Sequence, residues 1–135
     1  MNSSPEQLVR QFYDDVWNRA DETLARTILT PKFTFRGSLG FEKSGPEGFI
    51  GYMRTIHAAL AGYTCTIEDL FATETRAAAR MTFSGRHRAE FFGSAPTGRQ
   101  ITWSGAAFFT FSARQISELW VLGDIDAIKT QLAKT

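Results

Sequence analysis

The chain is poor in the residues that many small enzymes rely on. Among 135 residues there is one cysteine, and there are only two histidines. Cys65 therefore has no intrachain disulfide partner, and no Cys/His spacing resembles a zinc site. Its neighbours Thr64, Thr66 and Ile67 read as strand, so the thiol is expected to be a buried small hydrophobe rather than a nucleophile. Neither sign of charge is in excess: 15 Lys and Arg balance 14 Asp and Glu, for a formal net charge of +1. Such a surface has no strong field to gather nucleic acid or an anionic membrane. Arg76, Arg80, Arg86 and Arg88 come closest to a basic cluster, and apolar strand residues interrupt it. No apolar run approaches the ~20 residues of a membrane span. The opening MNSSPEQLVR lacks the basic start and apolar run of a signal peptide, so the expectation is a cytoplasmic protein. There is no phosphate loop, nucleophile elbow or metal-ligand cluster.

Aromatic surface, by contrast, is plentiful: 12 Phe, 3 Trp and 3 Tyr. That much can fill a core or line a pocket. The length suits one domain over residues 1–135, and no linker, repeat or low-complexity tract divides it.

The first helix begins near Pro5, with Ser4 as cap and Gln7 completing a capping box. Leu8, Val9, Phe12, Tyr13, Val16 and Trp17 recur at helical spacing. Asp21 caps a short second helix that Pro31 ends. Phe33-Thr34-Phe35 reads as a short strand, followed by a loop over Gly37–Gly45. Pro46 opens a third helix with Phe49, Ile50, Met53, Ile56 and Leu60 on one face, ended by Gly62. The period then changes to two. Thr64–Phe71 pairs with Arg76–Arg88, and Gln100–Ser112 pairs with Gln115–Gly123, each as a hairpin. Ile125–Leu132 closes the chain as a helix. Early helices followed by long antiparallel strands make an α+β domain with its helices on one face of a strongly curved sheet. Helices that cover a concave sheet without filling it leave an apolar pocket.

Four segments carry a family resemblance: LVRQFYDDVWNRAD, GPEGFIGYMRTI, AARMTFSGRHRAEFFGSAPTGRQITWSG and ISELWVLGDIDAIKTQL. In this order and spacing they closely resemble the SnoaL-like polyketide cyclases of the wider NTF2-like superfamily. The resemblance spans nearly the whole chain. It implies an NTF2-like cone of curved mixed or antiparallel sheet, with three to four helices enclosing a deep apolar cavity. It further implies a homodimer, a hydrophobic small-molecule ligand and no cofactor. In those cyclases an aspartate near the end of the last strand is the acid/base of an aldol ring closure, and Asp124 is the matching position. The cyclases also place a histidine in the cavity from the preceding strand, and no histidine lies between Gln100 and Asp124 here. The Gly-containing hairpin usual before Ile116 is replaced by Ser112-Ala113-Arg114-Gln115.

Ile116, Glu118, Trp120, Leu122 and Asp124 alternate, and a regular strand would put them on one face. If that face lined the cavity, desolvation would raise the Glu118 and Asp124 carboxyls towards neutral pH, fit for moving a proton beside a carbonyl. Alternatively, Glu118 pairs with an arginine across the sheet and Asp124 caps the final helix. Arg80 shares a face with Thr82 and Ser84, opposite the more core-like Ala79, Met81 and Phe83. It either enters the pocket or sits on an outer surface. Tyr13 and Trp17 hang into the cavity or pack in the core, and Met53 and Phe109 are further candidate wall residues. His57 and His87, at element edges, read as surface or structural groups. Three functions follow: a cofactor-independent enzyme acting on a carbonyl compound by cyclisation, isomerisation or epoxide-type hydrolysis; a non-catalytic binding module; or a dimerisation domain filled by its own phenylalanines.

Overall fold

A computed structural model describes residues 3–133. Helix α1 (Pro5–Gln11) starts with the capping box that the sequence spells: Ser4 accepts from the Gln7 backbone N–H, and the Gln7 side chain accepts from the Ser4 backbone N–H. The next turn widens into a π-helical segment, Phe12–Trp17. Its wider turn directs Phe12, Tyr13, Val16 and Trp17 into the core together. Asp21 caps α2 (Glu22–Ile28) through its Oδ1 and the Leu24 N–H, 3.0 Å apart.

The chain then enters β1 (Leu29–Arg36), turns into the short edge strand β2 (Glu42–Ser44), and continues as α3 (Gly45–Ala59). Strands β3 (Leu60–Ala72), β4 (Arg76–His87), β5 (Gln100–Ser112) and β6 (Gln115–Gly123) follow, and α4 (Ile125–Ala133) ends the fold. Two differences from the sequence reading stand out. Glu42–Ser44 is a strand rather than loop, and Gly62 lies inside β3 because α3 already stops at Ala59.

The six strands form one mixed sheet in the order β2-β1-β6-β5-β4-β3. Only β1 and β6 run parallel; every other pair is antiparallel. The inner face carries Phe33, Phe35, Tyr63, Cys65, Met81, Phe83, Trp103, Phe109, Leu119 and Val121, all buried against α1, the π segment and α3. Asn18 ties the π segment to this sheet: its amide nitrogen donates to the Cys65 carbonyl (2.9 Å) and its oxygen accepts from the Cys65 N–H (2.7 Å).

The outer face of the sheet is partly apolar. Register aligns Phe71, Ala78, Phe108, Trp120 and Arg36 in one row across five strands. Phe71 is 70% exposed and Trp120 41% exposed, with Phe108 and Leu122 exposed beside them. The Arg36 guanidinium lies over the Trp120 ring, 5.0 Å from its centre, and donates to the Val121 carbonyl.

Candidate functional site

The alternation expected along the last strand is broken. In the β5–β6 ladder Phe111 faces Ile116 while Thr110 faces Glu118, so Ser117 is an inserted residue. A bulge of one residue exchanges the faces beyond it. Ile116 points into the core, but from there Leu119 and Val121 are the buried residues while Glu118, Trp120 and Leu122 are exposed. Glu118 and Trp120 are thus outer-face residues, not cavity residues. Glu118 accepts a hydrogen bond from Thr110 Oγ1 (3.3 Å) beside a shallow depression that also borders Arg36 and Lys43. Arg80 is likewise exposed on the outer face, paired in register with Asp69 and Ala106, while Ala79, Met81 and Phe83 are buried.

Asp124 is exposed at the start of α4, where its Oδ1 accepts from the Ala127 N–H at 3.0 Å. Its own N–H donates to the Ser104 carbonyl. The preceding Gly123 presses on the loop after β1: a Cβ there would lie 2.6 Å from the Ser38 carbonyl oxygen. Met53 and Phe109 are fully buried core residues, with Phe109 edge-on to Phe12 and Tyr13. Neither borders the two spaces described next.

The hollow expected inside the cone is nearly filled. A void of about 10 Å3 remains, bounded by Tyr13, Trp17, Phe35, Ser38, Tyr52, Tyr63, Phe83, Leu119 and Val121. Tyr13 is 1% exposed, and its hydroxyl has no hydrogen-bond partner among the described residues. Burial, reinforced by the nearby Cys65 thiol, holds the Tyr13 phenol well above its ordinary pKa. Tyr52 is pushed up by burial too, against the opposing hydrogen bonds of its hydroxyl with the Leu39 backbone and Ser38. Both phenols stay protonated at neutral pH, and the Tyr13 hydroxyl carries a hydrogen with no acceptor among the described residues. Besides tyrosines, tryptophans and Cys65, the buried side chains with polar atoms among the described residues are Ser38 and His87, so no carboxylate of theirs lies within the interior.

His87, expected at an element edge, is fully buried. Its Nδ1 accepts from the Thr97 N–H (3.1 Å), which leaves Nε2 as the protonated nitrogen, without a partner. His57 Nε2 donates to the Trp17 carbonyl (2.8 Å) and so ties α3 to the π segment.

A larger space lies on the other side of Tyr52. A groove of about 460 Å3 runs over α3 between the β1–β2 loop and the loop after β4. Leu39, Phe41, Tyr52, Ile56, Phe91 and Phe92 supply its apolar wall, and Lys43, Glu47 and Glu90 stand on it. Gly48 and Gly51 leave the α3 side low. Phe41 is 56% exposed at the rim. Sequence reasoning missed this groove. Tyr52, three residues after Phe49 and four before Ile56, was the available signal, since it shares their helical stripe. Among the described residues no group of three or more His, Cys, Asp or Glu could hold a metal, and no helix is long and apolar enough to cross a membrane.

Helices packed on the concave side of a six-stranded mixed sheet define the NTF2-like fold. Within it, the sequence profile of the SnoaL-like polyketide cyclases matches residues 7–132, and the chain belongs to that family. Solved structures agree on the fold. IdmH from Streptomyces antibioticus, described as a candidate polyketide cyclase, superposes with a TM-score of 0.85 at 23% identity, over 98% of this chain and 100% of its own. A candidate SnoaL-like polyketide cyclase from Jannaschia sp. CCS1 gives a TM-score of 0.86 at 18% identity, over 100% and 99% of the two chains. AclR from Streptomyces galilaeus, described as a candidate hydroxylase, gives 0.75 at 24% identity, over 89% and 79%. The same fold thus carries differently described activities. No curated protein matches the chain.

Proposed function

We propose that this SnoaL-like chain binds a flat, mainly apolar small molecule bearing oxygen acceptors, and that the groove over α3 receives it. The observation that carries this reading is the contrast in free space: about 460 Å3 in the aromatic groove against about 10 Å3 inside the cone. Ligand sites commonly measure roughly 300–1,000 Å3 and combine apolar walls with few polar groups. A fused-ring ketone of polyketide type meets that description, with its rings on Phe41, Tyr52 and Phe91 and an anionic or hydroxyl edge near Lys43. Titration with anthraquinone-2-sulfonate tests it. Gly51 lies on the groove and a Cβ there meets nothing within 4 Å, so Gly51→Leu starts its side chain in open space and takes up groove volume. Wild type should bind and Gly51→Leu should not; equal binding by both refutes the groove.

A second reading makes Asp124 the general acid/base of a cyclisation or isomerisation. It is favoured by the contact of Gly123 with Ser38, which puts Asp124 one residue from the wall of the interior void. Glu118 has no part in that chemistry, because its carboxylate is on the opposite side of the sheet.

The exposed row of Phe71, Phe108 and Trp120, with Leu122 beside it, suits a homodimer joined across the outer face. Arg80 and Glu118 on that same face offer opposite charges to a two-fold partner. Phe108→Asp should then halve the mass seen by sedimentation while leaving the circular dichroism spectrum intact. A wild-type monomer at micromolar concentration would refute the dimer.

A further inference from the structure

Among the described residues, Tyr52 alone borders both the outer groove and the interior void. We infer that its ring is a gate between them, and that opening it brings a ligand carbonyl oxygen to the Tyr13 hydroxyl. This rests on the groove as the ligand site and adds an inner subsite with a donor of its own.

The closed position is closely fitted. The Tyr52 ring packs edge-on against Trp17 and Phe35, at centroid distances of 6.0 and 5.2 Å. Its hydroxyl lies beside Ser38 and the Leu39 backbone, in the loop that forms one wall of the groove. Gly37 leaves the space this requires: a Cβ at that position would sit 2.7 Å from the Tyr52 hydroxyl oxygen. The Tyr52 ring thus stands between a groove of ligand size and a space bordered by Tyr13, a buried donor without an acceptor among the described residues. A buried polar group of this kind normally has a partner. Tyr13 faces the void from the π segment, and Trp17, Tyr63 and Phe83 supply flat apolar surface around it. When Tyr52 swings toward the groove, the space its ring vacates joins the void. The carbonyl edge of a planar ring system can then enter while its remaining rings stay in the groove, the oxygen accepting from Tyr13. The site selects for an acceptor oxygen, since the protonated phenol offers a hydrogen to bind it and the apolar walls offer nothing to a donor.

The test compares anthraquinone-2-sulfonate with anthracene-2-sulfonate, which has the same ring outline but no carbonyls. Calorimetry gives affinities and stopped-flow quenching of tryptophan gives association rates. Wild type should favour the quinone by about 3–10-fold, the worth of one hydrogen bond to a buried donor, and Tyr13→Phe should erase that preference while both compounds still bind. Tyr52→Ala should speed quinone association at least several-fold. Gly37→Ala keeps the ring but denies the hydroxyl its closed position, so it should also speed association and provides the same test should Tyr52→Ala fail to fold. A preference that survives in Tyr13→Phe, or a quinone association rate unchanged in the folded gate variants, overturns the inference. Groove binding is judged separately by Gly51→Leu: if that variant loses both compounds while the Tyr13 and Tyr52 variants behave as wild type, the groove stands and the gate falls. If neither compound binds wild type or Gly37→Ala, both fall.

Discussion

Asp124 is asked to do two things, and two substitutions separate them. Its Oδ1 accepts from the Ala127 N–H at the first turn of α4, a helix whose Ile128 and Leu132 are buried in the core. Asp124→Ala removes the cap and the carboxylate. Loss of an N-cap costs about 1 kcal/mol, and loss of a negative charge at a helix N-terminus costs about 0.3–1 kcal/mol more. Asp124→Asn keeps an oxygen cap of similar quality and loses only the charge. For a domain of this length 1 kcal/mol corresponds to about 3–4 °C in Tm. Thermal melts followed by circular dichroism should therefore drop by about 4–8 °C for Asp124→Ala and by about 1–4 °C for Asp124→Asn. The smaller drop should shrink further in high salt, which screens the charge and leaves the hydrogen bond. If Asn destabilises as much as Ala, or if Ala leaves the melt unchanged, the capping account is wrong. The same pair reads the chemistry: Asp124→Asn retains the helix start, so turnover lost in that variant is lost for want of a proton acceptor.

The β5–β6 turn places Ala113 and Arg114 at φ 51° and 64°, a backbone suited to Asn-Gly. Ala113→Asn with Arg114→Gly should raise stability by about 1–2 kcal/mol, seen as a shifted urea midpoint with unchanged slope; no gain would show that the turn is not strained. Gly123→Ala has no room beside the Ser38 backbone, so it should cost about 1–3 kcal/mol as overpacking, and a neutral result would mean that the loop after β1 moves freely. Burial raises the Cys65 thiol well above its ordinary pKa, so iodoacetamide at pH 8 should label it only after unfolding, and rapid labelling of the native protein would contradict its burial.

Much of the fold was legible because local signals agreed. The Ser4–Gln7 box, the Asp21 cap and the period-two runs from Gln100 to Gly123 each found their element with nearly the expected bounds. Short β2 was not legible, since Glu42, Lys43 and Ser44 are polar and all exposed, and only pairing with β1 makes them a strand. The site was read less well, for one reason. Alternation from Ile116 assumes an unbroken ladder, and the extra residue at Ser117 has no signature of its own; it is fixed by how β5 and β6 align at both ends. Glu118 and Trp120 were therefore assigned to the wrong side. The groove depends on loops meeting a helix across long sequence distances, Phe41 with Ile56 and Phe91, which no local pattern encodes.

The irregularity at Ser117 also bears on how such a chain diversifies. Sliding the last strand by one residue, so that Ser117 rather than Glu118 faced Thr110, would turn Glu118, Trp120 and Leu122 inward and bring Leu119 and Val121 out. The set of side chains available to a small molecule would change places with the set available to another subunit. A one-residue change of register in the last strand can thus trade one kind of recognition for the other, with the helices and the sheet order left as they are.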